Sequence, residues 1–264
     1  MGRVNTMGTG RRLVAGLAAV GLAVWISASG PAIAAEGASY EKHDWSFYGI
    51  FGTYERAPLQ RGFQVYVEVC AACHGLKRIA FRNLVDIGFS DAEAKAIAAE
   101  YEIEDGPDQE GEMFTRSGRL SDYFVPPFAN DNAARASNNG ALPPDLSLIT
   151  KARGGGPDYV YALLVGYTDP PGGEELPDGM SYNLAFPGHQ IAMPPPLLAD
   201  AVEYADGTSA TVAQMAEDLS HFLAWTAEPK LEERKRLGLK VMIVMIILAG
   251  LLYAVKRRVW ADLR

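Results

Sequence analysis

The stretch Cys70-Ala71-Ala72-Cys73-His74 contains both cysteines of the 264-residue chain and places a histidine directly after them. A C-x-x-C-H run is the attachment signature of a c-type haem. One helical turn presents the two thiols to the vinyl groups of the porphyrin, and His74 then offers a neutral imidazole nitrogen to the iron. The sequence therefore predicts one haem c, bound covalently through Cys70 and Cys73, with His74 as the proximal ligand.

Two other interpretations of a C-x-x-C pair are a redox dithiol and half of a zinc site. A dithiol of thioredoxin type needs a βαβ context, and the residues around Cys70 carry no strand pattern. A zinc site needs a second close pair of ligands, whereas His43, His189 and His221 are far apart in the sequence. Both interpretations are weaker than haem attachment.

The N-terminal 34 residues have the pattern of an export signal. A basic start precedes an apolar stretch from Leu13 to Ile26, and Ala32-Ile33-Ala34 has the small-x-small pattern of a cleavage site. We expect residues 1–34 to be a cleaved signal peptide, with an uncleaved N-terminal anchor as the alternative. Export places the haem signature in an oxidising compartment.

The C-terminal region has the length and composition of a membrane span. From Leu237 to Val255 the only charged residue is Lys240. These 19 residues would rise roughly 28 Å as a helix, close to the thickness of the bilayer hydrocarbon core. Residues 35–229 are thus expected to be an exported haem domain, and residues 230–264 an anchor with a short cytoplasmic tail. The predicted location is the bacterial inner membrane, single-pass, with the haem domain on the periplasmic side.

The expected haem domain is strongly acidic. Residues 35–229 contain 29 Asp and Glu against 12 Lys and Arg, a formal charge of −17. Much of this charge lies in the acidic run, residues 100–112, for which a solvated loop is the simplest structure. On a haem protein such a field can steer a basic partner, whereas nucleic acid is disfavoured by the sign of the charge.

Helical spacing of apolar residues appears on both sides of the haem domain. Phe63, Tyr66, Val67 and Cys70 follow the i, i+3, i+4, i+7 pattern into the haem signature. A second stripe predicts a helix over 211–227, capped by Thr208 or Ser209 and ended by Pro229; its members are Val212, Met215, Leu219, Phe222 and Leu223. We expect a mainly α, cytochrome c-like haem head with packed terminal helices and long loops between them, plus one C-terminal transmembrane helix.

The second axial ligand determines whether the iron has an open site. Met193 is favoured because it opens a run of three prolines, which would stiffen a loop holding a thioether against iron. His189 is the main alternative. The other candidates are Met113, Met180, Met215, His43 and His221. Local sequence leaves this choice open.

The chain resembles the cytochrome c1 family, the haem-bearing subunit of ubiquinol–cytochrome c reductase (the bc1 complex). The resemblance covers nearly the whole chain after the signal, and several long motifs in the right order make it specific. The motifs that carry the resemblance are Arg61-Gly62-Phe63-Gln64-Val65-Tyr66, Gly111-Glu112-Met113-Phe114, Leu120-Ser121-Asp122-Tyr123-Phe124, Asn138-Asn139-Gly140-Ala141-Leu142-Pro143-Pro144-Asp145-Leu146-Ser147, Arg153 with Asp158-Tyr159-Val160, Phe186-Pro187-Gly188 and Ala227-Glu228-Pro229.

The resemblance implies Met193 as the second ligand, so that His74 and Met193 bind the metal. It also implies further haem-pocket residues, with Arg153 near a propionate: Asn138, Ala141, Pro143, Pro144, Arg153 and Tyr159. Some bacterial relatives brace the head with an extra disulfide, for which this chain has no spare cysteine.

The resemblance further implies an electron carrier with no substrate chemistry of its own. One electron at a time would pass from the Rieske iron–sulfur protein to a soluble cytochrome c, within a dimeric membrane complex that contains cytochrome b. A membrane-tethered cytochrome of another respiratory complex is the main alternative. A haem enzyme with an open sixth site, such as a peroxidase, is an alternative of a different class.

Overall fold

The computed structural model describes residues 40–172 and 175–263, so the predicted signal peptide lies outside the described residues. Helices dominate and the strands are short, which confirms the mainly α fold. The α-helices are α1 (Arg56–Glu68), α2 (Asp91–Ala99), α3 (Asp131–Ser137), α4 (Ile149–Ala152), α5 (Pro157–Val165), α6 (Val212–Ala227) and α7 (Leu231–Val259). Short 3₁₀ segments cover Cys70–Ala72, Phe81–Ile87, Leu146–Leu148 and Ala261–Leu263.

Two small antiparallel sheets complete the described secondary structure. Strand β1 (Glu102–Asp105) pairs with β2 (Phe114–Ser117), with Glu102 opposite Ser117. Strand β3 (Ser181–Tyr182) pairs with β4 (Gln190–Ile191), with Ser181 opposite Ile191.

Helices α1 and α6 pack against each other in the centre of the head, as the apolar stripes predict. They approach closely at Gly62, where an added Cβ would lie 2.0 Å from the carbonyl oxygen of Asp218 and 2.7 Å from the Cβ of Phe222. Only glycine fits such a contact between helix backbones. This crossing fixes the position of the haem signature, because only Val69 separates α1 from Cys70.

The prediction for the α1 stripe is wrong at Val67, which is 38% exposed. The buried positions Leu59, Gly62, Phe63 and Tyr66 follow helical spacing, so Val67 lies at the edge of this face. The helix also ends at Glu68, and a 3₁₀ turn rather than a further helical turn carries Cys70 into the core.

Helix α6 occupies nearly the predicted range, but its cap differs from the prediction. Neither Thr208 nor Ser209 caps it; the side chain of Thr211 accepts a hydrogen bond from the Gln214 N–H at 3.1 Å. The helix ends at Ala227, just before Pro229. Met215, Leu219, Phe222 and Leu223 are all buried, as the stripe predicts.

The region between α1 and α6 has more regular structure than the predicted long loops. Helix α2 begins with a capping box in which Ser90 and Glu93 bond each other's backbone N–H groups. Helix α5 has Pro157 at its first position, where a missing N–H costs nothing. The acidic run does not form a loop throughout, because its residues 102–105 form strand β1.

Helix α7 confirms the predicted transmembrane helix. It has 29 residues and begins at buried Leu231, and its length of roughly 43 Å exceeds the hydrocarbon core. In the described part of the chain it is the single helix long and apolar enough to cross a membrane, and none of its apolar window is buried.

Candidate haem-binding site

A cavity of about 540 Å³ lies between α5, α6, the haem signature and the segment that contains Met193. This volume is typical of small-molecule and cofactor sites. All ten predicted site residues line it, namely Cys70, Cys73, His74, Asn138, Ala141, Pro143, Pro144, Arg153, Tyr159 and Met193. The remaining lining is largely apolar and includes Val160, Leu163 and Leu164 of α5, and Leu219 and Leu223 of α6. Such a lining suits a flat, mostly apolar porphyrin.

The haem signature forms a tight turn at the end of α1. The Cys70 carbonyl accepts hydrogen bonds from the Cys73 N–H at 3.1 Å and the His74 N–H at 2.9 Å. This turn brings both sulfurs and the imidazole to the same cavity, although the three residues differ in exposure: Cys70 is buried, His74 is half-buried and Cys73 is exposed.

The imidazole of His74 has one of its nitrogens occupied by the protein. Its Nδ1 lies 2.7 Å from the carbonyl oxygen of Pro144, and a carbonyl can only accept, so Nδ1 carries the proton. Burial lowers the pKa of His74, with the Pro144 hydrogen bond opposing the shift. The ring is therefore neutral with its Nε2 lone pair free, the form that a metal binds.

The loop that supplies Pro143 and Pro144 is fastened to the segment after His74. Asp145 accepts a hydrogen bond from the Lys77 N–H at 2.9 Å, and the Leu146 N–H donates to the Gly75 carbonyl at 2.9 Å. These contacts hold the Pro144 carbonyl in place for the imidazole.

The Cys70 thiol does not have the properties of the nucleophile of a redox dithiol. Burial, and then the neighbouring charge of Cys73, raises the pKa of the Cys70 thiol to about 12. An attacking thiol needs a lowered pKa, so Cys70 is unsuited to that role. Nor do the residues that the structure describes contain a group of three or more His, Cys, Asp or Glu side chains placed to hold a metal ion. The geometry therefore favours neither the dithiol nor the zinc interpretation.

Met193 lines the cavity from a stiff segment. Pro194 and Pro196 follow it on the cavity wall, and the hydroxyl of Tyr167 donates a hydrogen bond to the Met193 carbonyl at 3.1 Å. Tyr167 is a supporting residue that sequence reasoning missed. It bonds a backbone carbonyl 26 positions away, and no local sequence pattern marks such a contact.

None of the alternative second ligands lines this cavity. Met113 and Met180 are exposed, and Met215 is fully buried in the core. His189 lies in the turn before β4 with a φ of 60°, and its Nδ1 is 3.1 Å from the Asn183 carbonyl oxygen.

The remaining two histidines make other contacts. The His43 ring packs at a tilt against Tyr161, and its backbone N–H donates to Asp158 at 3.0 Å. His221 lies in the aromatic core with its Nε2 3.2 Å from the Ser46 hydroxyl.

Arg153 is an exposed residue at the edge of the cavity. It follows α4 directly and lies near Tyr159, whose pKa is raised by burial and lowered again, in part, by the guanidinium. A guanidinium at the rim of a mostly apolar cavity suits a ligand that carries carboxylates at one edge.

Comparisons with known proteins agree with this geometry. Residues 45–263 match the family described as "Cytochrome C1 family". "Cytochrome c1, heme protein, mitochondrial" of Schizosaccharomyces pombe is 50% identical over 248 residues, which cover 92% of this chain and 81% of that protein. "Cytochrome c1" of Rhodospirillum rubrum is 50% identical over 244 residues, covering 86% and 90%. "Cytochrome b/c1" of Bradyrhizobium diazoefficiens is 52% identical over 240 residues, covering 83% of this chain and 35% of that protein.

Proposed function

Since the chain belongs to the cytochrome c1 family, we propose that it is the electron-transfer subunit of ubiquinol–cytochrome c reductase. It would carry one electron at a time from the Rieske iron–sulfur protein to a soluble cytochrome c. The single observation that supports this proposal most strongly is the cavity that joins both cysteines, His74 and Met193. When bound, haem c supplies the one-electron iron couple that this role requires.

Different residues of the chain would hold different parts of the haem. Cys70 and Cys73 would form the two thioether bonds, and the Pro144 carbonyl orients the His74 imidazole that would bind the iron. Met193 would supply the second protein ligand to the iron, from a segment held by Tyr167 and the proline run. A thioether is a soft donor that favours the reduced metal, which suits a carrier of high potential. Asn138, Ala141 and Pro143 would pack on the ring, and Arg153 beside Tyr159 would pair with a propionate.

The proposed partners follow from the family and the charge of the head. We place the chain with cytochrome b and the Rieske protein in a dimeric membrane complex, with residues 35–229 periplasmic and the C-terminus cytoplasmic. Glu102, Glu104, Asp108, Glu110 and Glu112 are all exposed, so they can attract a basic soluble carrier. Asp105 contributes less, because it is paired with Arg116.

A ligand substitution tests the electron-carrier function. We expect Met193→Leu to have a lower reduction potential than the parent. We also expect its reduced form to bind carbon monoxide, whereas the reduced parent should not. His189→Leu is the matched control and should keep the parent's reduced-minus-oxidised spectrum. If the parent already binds carbon monoxide, the site is open and a haem enzyme is the better interpretation; if only His189→Leu binds it, His189 is the ligand.

A kinetic experiment tests the acidic surface separately. Stopped-flow reduction of a basic cytochrome c should slow as ionic strength rises, and Glu102→Gln/Glu104→Gln should flatten that dependence. A rate that does not change with salt in the parent contradicts steering by the head. A steep dependence that the double variant retains excludes this hairpin as the contact.

A further inference from the structure

An exposed apolar loop lies immediately before α1 and has no role in the haem site. Ile50 and Phe51 are 74% and 78% exposed, more than any other large apolar side chain in the part of the chain that the structure describes, including those of the transmembrane helix. Tyr48 beside them is 45% exposed. Water-exposed apolar side chains concentrated at one loop tip mark a contact surface.

The backbone of this apolar loop, residues 48–52, is closed and tightly turned. The Thr53 N–H donates to the Ser46 carbonyl at 3.1 Å, which joins the two ends of the loop. Gly49 has a φ of 70°, and an added Cβ at Gly52 would lie 1.9 Å from the Tyr48 carbonyl oxygen. The tip is therefore presented by a defined turn that needs glycine at both positions.

Side chains of the first turns of α7 hold the apolar loop at a fixed position along the helix axis. Glu232 accepts a hydrogen bond from the Tyr54 N–H at 3.0 Å. One turn further along the helix, the Lys235 ammonium donates to the carbonyls of Phe47 at 2.8 Å and Gly52 at 2.9 Å. Tyr54 is thus level with Glu232, and Gly52 is level with Lys235 one turn further along α7. The loop and the helix therefore run antiparallel to each other here.

This register places the loop tip beyond Lys235, on the side where the apolar part of α7 begins. Leu237 is only two residues further, a rise of about 3 Å. The exposed side chains therefore lie near the height of Leu237 along α7, where the apolar part of the helix begins. Arg236 at this height is exposed and 3.6 Å from Glu232, and a basic residue beside an apolar run suits a position near lipid phosphates.

We propose that the apolar loop inserts Ile50 and Phe51 into the boundary between the lipid headgroups and the acyl chains, as a second membrane contact of the head. Lipid is the occupant that the structure favours, because the loop is tied to α7 at Lys235, just before the apolar part of the helix begins, and its aromatic residues Tyr48 and Phe51 are exposed. Two separate contacts would stop the head from rotating about the axis of α7. The inference rests on α7 crossing the membrane and is independent of the haem ligands.

A nitroxide label on Phe51→Cys tests the proposal in the full chain, in its native membranes. Collision rates with oxygen, which concentrates in the bilayer, are compared with those of a water-soluble nickel chelate. Leu184→Cys is the control, because Leu184 is 57% exposed on the head and apolar like Phe51. The parent chain sets the background labelling, since both of its cysteines would be held in thioether bonds to haem.

We expect the label at position 51 to collide with oxygen and to be shielded from nickel, with a ratio several-fold higher than at position 184. Equal nickel access at the two positions would show a loop in water and overturn the proposal. An immobile label shielded from both reagents would show a neighbouring protein subunit on the loop and also overturn it.

A second substitution tests the register that places the loop. Lys235→Met in the Phe51→Cys background removes both hydrogen bonds to the loop, so the oxygen-to-nickel ratio at position 51 should fall, while Lys235→Arg should retain most of it. A ratio that Lys235→Met leaves unchanged would contradict the role of Lys235 in holding the loop at the membrane.

Discussion

Gly62→Ala is the substitution for which the structure makes its sharpest prediction. In the middle of an exposed helix this change would stabilise the protein by about 1 kcal/mol, because alanine has the higher helix propensity. At Gly62, however, the added Cβ would lie 2.0 Å from the carbonyl oxygen of Asp218. The neighbour is backbone, so no side-chain rotation relieves the clash.

The size of the effect follows from the separation that the helices must undergo. An ordinary contact at that Cβ begins near 3.4 Å, so α1 and α6 would have to part by about 1.4 Å at the crossing. Overpacking of this kind costs about 1–3 kcal/mol, and a radial gap of ~0.5–1 Å already forfeits a quarter to a half of the dispersion energy of nearby contacts. We expect a net loss of about 2 kcal/mol, which lowers the Tm of a domain of this size by roughly 4–8 °C.

Thermal unfolding of the full chain, followed by far-UV circular dichroism and by the haem absorption, measures this loss. Leu219 and Leu223 of α6 line the cavity, so the haem absorption should change together with the helical signal. Gly154→Ala is the matched control, because nothing lies within 4 Å of its added Cβ. A Gly62→Ala variant that melts at or above the parent Tm would refute the close approach of α1 and α6.

Three further predictions concern single contacts. Arg61→Ala should cost about 3 kcal/mol in urea unfolding, because it leaves the carboxylate of Asp218, whose side chain is 1% exposed, without its two guanidinium hydrogen bonds; a loss below about 1 kcal/mol would contradict a buried ion pair. Burial lowers the pKa of His221 from 6.5 to about 4, so the unfolded chain takes up a proton in that pH range that the folded chain does not. The contribution of neutral His221 to the free energy of unfolding is therefore fully present above pH 6.5 and falls by up to about 3 kcal/mol towards pH 4. In urea titrations His221→Phe should lose this part of the pH dependence, and an unchanged profile would refute the prediction. Tyr167→Phe should weaken the hold on Met193 by about 1 kcal/mol, seen as roughly fivefold tighter binding of added imidazole to the oxidised protein with little change in Tm; an unchanged imidazole affinity would contradict this role of Tyr167.

The features that the sequence predicts well are those with a strong local pattern. The transmembrane helix is predicted from an apolar run that contains one charged residue, and helix α6 from a helical spacing sustained over three turns. The C-x-x-C-H turn is also local, since the backbone N–H groups of Cys73 and His74 both bond to the Cys70 carbonyl. Short elements were less predictable: strand β1 lies in the acidic run, and cross-strand pairing with β2 overrides the poor strand propensity of Glu102 and Asp105.

The cap of α6 and the end of α1 were missed for a related reason. Thr208, Ser209 and Thr211 are all chemically able to cap, and only the position at which the backbone turns into the helix selects Thr211. Likewise a helical repeat continued through Val67 and Cys70 fits the sequence, but the chain leaves the helix at Glu68.

The contacts that orient the candidate axial ligands lie outside what one sequence can show. Each ligand is held through a backbone carbonyl, that of Pro144 for the His74 ring and that of Met193 itself for its segment. Every residue has a carbonyl, so residue identity carries no information about which one is used. The family resemblance names pocket residues, but the hydrogen bonds that position them are properties of the folded chain.

The connection between α6 and α7 links the cavity mechanically to the membrane. Helix α6 supplies part of the cavity wall, and only residues 228–230 separate it from α7. Glu228 at this junction is bridged to Lys151, 3.2 Å away, and to Arg234, so the joint between the two helices is braced from both sides. The apolar loop adds a second tie through Lys235. On the proposed function, a head held in this way would keep the cavity at a constant height and orientation above the bilayer. Exchange of electrons with two partners in turn would then require movement of the partners rather than of the head.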